Sequence, residues 1–209
     1  MKEKNVIEFY VLCNSLKDII RTGWKDWGVK RKRVESIAEH IYGTQMLAIA
    51  MWSEYQYDID LTKVLSMLAI HELEETKIGD LTIFDIDKQT KNQIGHKAIE
   101  DILKNLSKGD SIKSLIIEFD ERKTKEALFA YYCDKPEADL QCKIYDEQHC
   151  VKDFGCLNNE VQKNKYVQTI ISEEGSWSGA WLRFGQERYN YDDNFKSVSN
   201  YAKLNKISK

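Results

Sequence analysis

The chain contains four histidines, and one of them begins a run of acidic residues. From His71 onward the sequence reads His-Glu-Leu-Glu-Glu. On a continuous α-helix, at about 100° per residue, His71, Glu72 and Glu75 lie on the apolar side. Glu74 falls outside that arc and points to solvent. A divalent cation would compensate the burial of an imidazole and two carboxylates. The alternative is an exposed, solvated helix end, although carboxylates there oppose the helix dipole.

A second histidine, His40, falls in the middle of the apolar stripe of another predicted helix. Its neighbours on that stripe include Ile37, Thr44 and Ala48. A single histidine in such a place is more often a hydrogen-bonded core residue than a metal ligand. Taken alone, the position of His40 leaves both interpretations open.

No other pattern indicates a catalytic nucleophile or a phosphate-binding loop. Dinucleotide-binding, Walker and nucleophile-elbow motifs are all absent. The five cysteines form no Cys-x-x-Cys pair, which excludes a zinc ribbon and favours reduced thiols.

Composition narrows the class of partner. The chain has 209 residues, 31% of them charged, with a formal net charge of −3, so no basic surplus indicates a nucleic-acid or membrane partner. No apolar run approaches the ~20 residues of a membrane span. Glu8 interrupts the only short apolar run near the N-terminus, which therefore does not resemble a signal peptide. We expect a cytoplasmic protein.

The residues with possible chemistry must be positioned by helices, because apolar residues recur at spacings of three and four nearly throughout. One Pro and ten Gly are few breakers for this length. We expect an all-α helical bundle, with one domain over residues 1–190 and a polar, loosely attached tail over 191–209. The predicted helices cover, to within a few residues, 6–20, 33–55, 61–77, 88–106, 110–121, 124–133, 136–153, 159–172 and 177–189, with loops at 21–33 and 81–87.

Four segments, in order, resemble the HD-domain metal-dependent phosphohydrolases, and most of all their 5′-deoxynucleotidase branch. They are RTGW from Arg21, RVESIAEH ending at His40, HELEETKIGD from His71, and DKPEADLQ from Asp134. The resemblance covers about residues 5–155 and implies the helical fold of that family. One departure stands out: the family pair His-Asp is His71-Glu72 here.

The resemblance implies a site for one divalent metal ion, which could be Mn, Co, Mg, Zn or Ni. Its ligands would be His40, His71, Glu72 and Asp134. Asp139 is a weaker candidate for the fourth ligand, and its position is typical of a carboxylate on a helix surface.

The resemblance also implies roles around the metal. Glu75 would be the catalytic acid or base, and Asp80 a second catalytic residue that faces the sugar. The substrate-binding residues would be Arg21, which grips the phosphate, Trp24 beside it, and the loop residues Leu81, Thr82 and Ile83.

The implied reaction is hydrolysis of a nucleoside 5′-monophosphate to nucleoside and phosphate, by a protein that we expect to be a homodimer. Two alternatives stay open: an HD hydrolase acting on another phosphate ester or on guanosine tetraphosphate, and a metal-binding regulatory protein without turnover. Glu72 favours the regulatory protein, whereas the retention of Arg21, Glu75 and Asp80 favours the enzyme.

Overall fold

The structure, a computed structural model, describes residues 1–82, 85–151 and 163–208. Helices form its regular structure, which confirms the all-α prediction; the one extended pairing among these residues is a bridge between Ile20 and Ser36. The α-helices are α1 (Lys2–Asn14), α2 (Thr22–Asp26), α3 (Ile37–Tyr55), α4 (Leu61–Ile70), α5 (Glu75–Ile78), α6 (Lys88–Leu103), α7 (Gly109–Glu121), α8 (Lys125–Glu147), α9 (Lys165–Glu174), α10 (Trp177–Tyr189) and α11 (Asp193–Leu204), with a 3-10 turn at Ser15–Lys17 after α1.

The chain divides into two compact units. Unit 1 comprises residues 1–22 and 35–131, and unit 2 comprises residues 23–34 and 132–209. In unit 1, α3 packs on α4, α4 on α7, and α6 on both α5 and α7. In unit 2, α10 packs on α9 and on α11. The expectation of one domain over residues 1–190 stays a prediction.

Helix α3 begins at a capping box. The Ser36 hydroxyl accepts the Glu39 N–H, and the Glu39 carboxylate accepts the Ser36 N–H at 2.9 Å. Two backbone donors that the helix itself leaves unsatisfied are thereby bonded, so α3 begins at Ile37 and not near 33. The buried face of α3 follows the helical repeat and carries His40 inward.

The predicted helix over 61–77 is interrupted. It starts as expected, because the Asp60 side chain accepts the Lys63 N–H at 3.1 Å. It ends at Ile70, however, and residues 71–74 form turns before the short helix α5 begins at Glu75. The prediction that one continuous helix runs through the acidic residues after His71 was therefore wrong.

Helix α8 is longer than predicted. The sequence predicted two helices meeting near Pro136, because proline has no N–H for the carbonyl four residues back. The structure continues one helix from Lys125 to Glu147 through this proline. The boundary between the two units falls inside α8, between Tyr131 and Tyr132.

The C-terminal segment is not loosely attached, and that expectation was wrong. Helix α11 starts where the Asp192 side chain accepts the Phe195 N–H at 2.9 Å. Tyr191, Phe195 and Ala202 are all buried. Although the segment is polar in composition, α11 has an apolar face formed by residues spaced seven apart, with a buried Ser199 between them.

Within the described ranges, no helix combines the length and the apolar character that crossing a bilayer requires.

Candidate metal centre

Two buried histidines face each other in unit 1. His40 projects from the middle of α3, and His71 caps the C-terminal end of α4. Their ring centroids are 5.5 Å apart. The Oε1 atom of Glu72 lies 3.9 Å from Nε2 of His40 and 3.5 Å from Nε2 of His71. The candidate ligand atoms of the three residues lie within 4.8 Å of one another, close enough to share one metal ion.

The tautomer of His71 is set by a backbone contact. Its Nδ1 lies 2.8 Å from the carbonyl oxygen of Leu68, which can only accept a hydrogen bond. The proton therefore belongs on Nδ1, and the lone pair is on Nε2, on the side of Glu72. A ring nitrogen held in this way by a carbonyl is the usual arrangement of a metal-binding histidine. The donor set of imidazole nitrogens and a carboxylate oxygen fits a divalent transition-metal ion.

Glu75 lies beside this group and is almost fully buried, at 2% exposure. It is the first residue of α5, directly after the turns that carry Glu72. Burial raises the pKa of Glu75 well above the usual glutamate range, and the carboxylates of Glu72 and Asp80 raise it further. Such a carboxyl group keeps its proton to a higher pH than an exposed glutamate does, which suits a general acid.

Sequence reasoning missed Lys91, a residue of α6. Its Nζ lies 3.2 Å from Oε1 of Glu75 and donates to the carbonyl oxygen of Leu81 at 2.8 Å. No motif marks this lysine. One signal was available: Lys91 stands in the first turns of a helix, where the helix dipole disfavours a cation.

Glu74 does not point to solvent, and that prediction was wrong. Its Oε2 atom is buried and has no hydrogen-bond partner among the residues that the structure describes. Burial, helped by the negative charge of Glu72, raises the pKa of Glu74 to about 8. The side chain packs over Gly95 of α6, where a Cβ atom would meet Glu74 Cγ at 3.3 Å. The prediction failed because residues 71–74 form turns, in which the helical phase of 100° per residue does not apply.

Unit 1 also ties the segment of Arg21 to Asp80, through the next residue in the chain, Thr22. The Thr22 N–H donates to the Asp80 carboxylate, and the Thr22 hydroxyl donates to the Asp80 carbonyl at 2.8 Å. Arg21 is held from the other side, because its Nε lies 3.8 Å from the carboxylate of Glu35. The predicted phosphate-binding and sugar-facing residues are therefore tied to one another.

The predicted substrate loop is described only in part. Leu81 and Thr82 are half-buried, and both the N–H and the hydroxyl of Thr82 bond the Asp85 carboxylate at 2.8 Å. Ile83 lies outside the described residues.

The remaining predicted residues belong to unit 2. Trp24 is buried, stacked on Trp181 with centroids 5.0 Å apart and edge-on to Tyr145 at 5.2 Å. Asp134 is buried in α8, and Oδ2 of its carboxylate lies 2.6 Å from Nζ of Lys135. Within unit 2, Trp24 is a core side chain, and its role beside a substrate stays a prediction.

Asp139 is not a surface carboxylate, and that interpretation was wrong. It is buried within unit 2, where the Tyr191 hydroxyl donates to its Oδ2 at 3.0 Å and Trp181 also hydrogen bonds it. Helix α10 approaches so closely that a Cβ atom on Gly185 would collide with the carboxylate. Burial raises the pKa of Asp139 well above the usual aspartate range.

Comparison with known proteins identifies the family of this chain. Residues 13–174 match the HD domain family, so the chain belongs to that family and the resemblance found in its sequence is confirmed. The chain is similar to the 5′-deoxynucleotidase HDDC2 of Dictyostelium discoideum, with 36% identity over 152 residues that cover 69% of this chain and 79% of the relative. It is also similar to the 5′-deoxynucleotidase hdd1 of Schizosaccharomyces pombe, with 28% identity over 154 residues, or 70% of this chain and 75% of the relative.

A solved structure shows the same fold. The PH0347 protein from Pyrococcus horikoshii OT3 superimposes with a TM-score of 0.65 at 21% identity, covering 95% of this chain and 98% of that protein. At this identity the likeness concerns the fold alone.

Proposed function

We propose that this protein is a metal-dependent phosphohydrolase that converts nucleoside 5′-monophosphates to nucleoside and phosphate. The observation that carries the proposal is the placement of His40, His71 and Glu72 with their candidate ligand atoms within 4.8 Å, next to the buried carboxyl of Glu75. The 5′-deoxynucleotidase names of the curated relatives support the substrate class.

The proposed ligands of one divalent metal ion are His40, His71, Glu72 and Asp134. The first three are supported by their mutual geometry in unit 1. Asp134 is supported by the family resemblance. Mn, Co, Mg, Zn and Ni are the candidate metals, since all accept imidazole or carboxylate ligands. A bound ion would screen the phosphate dianion and make a water molecule more acidic.

The chain's own residues have separate proposed roles. Glu75 transfers the proton. The nucleoside 5′-oxygen is a poor leaving group unless it is protonated, and a buried carboxyl group can supply that proton. Arg21 offers two parallel donors to phosphate oxygens. The sugar and base are contacted by Asp80, Leu81, Thr82 and Ile83, with Trp24 supporting the phosphate side.

We also propose a homodimer located in the cytoplasm. Four apolar side chains on one side of α3 are 39–64% exposed in unit 1, namely Tyr42, Met46, Ile49 and Trp52. Contiguous apolar exposure of this kind is typical of a protein interface. Free thiols at Cys13, Cys133, Cys142 and Cys150 support a reducing compartment.

A screen of phosphate release tests the function. Chelator-treated protein is mixed with each deoxyribo- and ribonucleoside 5′-monophosphate and with Mn, Co, Mg, Zn or Ni in turn. We expect phosphate release that depends on the added metal and that His71→Ala abolishes. Guanosine tetraphosphate and a generic aryl phosphate are included as competing substrates. The substrate assignment is wrong if guanosine tetraphosphate is hydrolysed faster than every nucleotide. Turnover without added metal contradicts the metal requirement, and absent turnover contradicts the enzyme itself.

A further inference from the structure

We propose that Lys91 is a positioning residue of this site, which fixes the Glu75 carboxylate relative to the backbone at Leu81. The inference rests on the proposed function, since it takes Glu75 to be the group that transfers the proton. Lys91 belongs to none of the four segments that carry the family resemblance.

The geometry joins three elements at one ammonium group. Lys91 stands on α6, Glu75 on α5, and Leu81 in the loop that follows Asp80. The Nζ atom is 3.2 Å from Glu75 Oε1 and 2.8 Å from the Leu81 carbonyl oxygen. An ammonium group has three donors directed apart from one another, so it can bond a side chain and a backbone carbonyl at once.

The surroundings of Lys91 separate it from an ordinary surface lysine. Its side chain is only 28% exposed, although lysine is among the residues most often in full contact with water. The carboxylates of Glu72, Glu75 and Asp80 all act on its charge. Their negative charges offset the unfavourable interaction between the Lys91 cation and the helix dipole at the N-terminal end of α6.

The contact has a consequence for chemistry. A carboxylate that transfers a proton must point at the reacting oxygen, and misplacement by about 1 Å can lower a rate by about 10²-fold. Lys91 bonds Oε1 of Glu75, and the carboxylate of the candidate metal ligand Glu72 also interacts with Glu75. The bond to Leu81 also fixes the first residue of the proposed substrate loop.

Kinetics of matched variants test this role. Lys91→Met keeps an unbranched side chain that is one atom shorter, and it removes the charge and the donors. Lys97→Met makes the same change at an exposed site on the same helix. With the nucleotide found most active in the screen, we expect Lys91→Met to lower kcat by about 10²-fold and to raise KM, with metal content unchanged. Lys97→Met should match the parent, and Lys91→Arg should recover most of kcat.

A double-mutant cycle separates positioning from direct action on the substrate. If Lys91 acts through Glu75, Lys91→Met should lower kcat little further in a Glu75→Gln background. An undiminished loss there would show that Lys91 acts on the substrate itself and would overturn the proposal. Lys91→Met with the kcat and KM of Lys97→Met would overturn it as well.

Hydrogen exchange gives a readout that needs no turnover. The amides of residues 80–82 should exchange faster in Lys91→Met than in the parent, Lys97→Met or Lys91→Arg. Unchanged exchange would remove the loop contact from the proposal. If the parent hydrolyses no nucleotide, the proposed function fails, and the exchange result still decides whether Lys91 fixes the loop.

Discussion

At the scale of single residues, the candidate metal centre depends on which atoms present lone pairs. His71 is fixed by its Nδ1 contact with Leu68, and Glu72 reaches both histidines from a turn. Burial raises the pKa of the neighbouring Glu74 and Glu75 carboxyl groups.

His71→Ala should abolish metal binding, because it removes one of the two proposed imidazole ligands. Elemental analysis of the parent, purified without chelator, should give about one equivalent of a divalent metal. His96→Ala is the matched control, since His96 is a surface residue paired with Asp120 at 2.7 Å. Full metal retention in His71→Ala would contradict the ligand assignment.

Glu72→Asp should keep the metal and keep or raise the turnover number. Aspartate restores the family pair, and it shortens the side chain by one methylene while the turn still points toward both histidines. Metal content and kcat are measured side by side. If the aspartate variant loses the metal while the parent retains it, the metal site of this chain requires a glutamate at position 72.

Glu75→Gln should lower phosphate release by about 10²–10⁴-fold, the usual contribution of a general acid–base group. Metal content should persist, because Glu75 is not a proposed ligand. Arg21→Ala should differ by raising KM as well, since a phosphate contact exists before the transition state. Glu100→Gln, at an exposed position of α6, serves as the control. An equal loss in Glu100→Gln would show that the assay reports charge and not the site.

At the scale of elements, the sequence predicted the start of α4 correctly but not its end. Asp60 at the start of α4 follows a local rule, because a carboxylate that accepts an early N–H requires no distant contact. The end of α4 at Ile70 has no such local mark. The contacts of Lys91 could not be predicted from the sequence, because Lys91 reaches Glu75 and Leu81 only through the packing of α6 on α5.

The burial of Asp139 could not be predicted from the sequence either, because it depends on α10 and Tyr191 packing against α8 within unit 2. The family resemblance did better. It implied that His40, His71 and Glu72 converge, and unit 1 places them together. Their role as ligands stays a prediction.

The contribution of Asp139 to stability should fall as pH rises above the ordinary aspartate pKa of about 3.9. Burial raises its folded-state pKa, so the folded state keeps a proton that the unfolded state has released. In that window the free energy of unfolding loses up to about 1.4 kcal/mol per pH unit for this group. Lys135 and the bonds from Tyr191 and Trp181 lower the pKa, and Glu137 raises it, without reversing the effect of burial.

Urea unfolding of the parent and of Asp139→Asn at pH 5, 6, 7 and 8 measures this contribution. Asparagine has no proton to lose, so its free energy of unfolding should depend less steeply on pH, whatever its absolute value. Parallel pH dependences would show that Asp139 is ionised in the folded protein throughout the range.

At the scale of the whole molecule, the exposed apolar side chains of α3 bear on assembly. Ile49→Asp should convert the proposed dimer to a monomer, because a charge in the centre of an apolar contact is costly to desolvate. Light scattering after gel filtration gives the mass. Leu204→Asp changes another exposed apolar residue, on α11, and should leave the mass unchanged. A monomeric parent would contradict the dimer, and a dimeric Ile49→Asp would move the interface off α3.

The turn that replaces a helix at residues 71–74 matters for how related genes are recognised. A side chain on a turn can be lengthened by one methylene and still reach His40 and His71, as Glu72 does here. A search that requires His-Asp at this point would discard such chains as degenerate. Enzymes with a His-Glu pair could therefore be undercounted among HD-domain genes, and a pattern that accepts both acids would recover them.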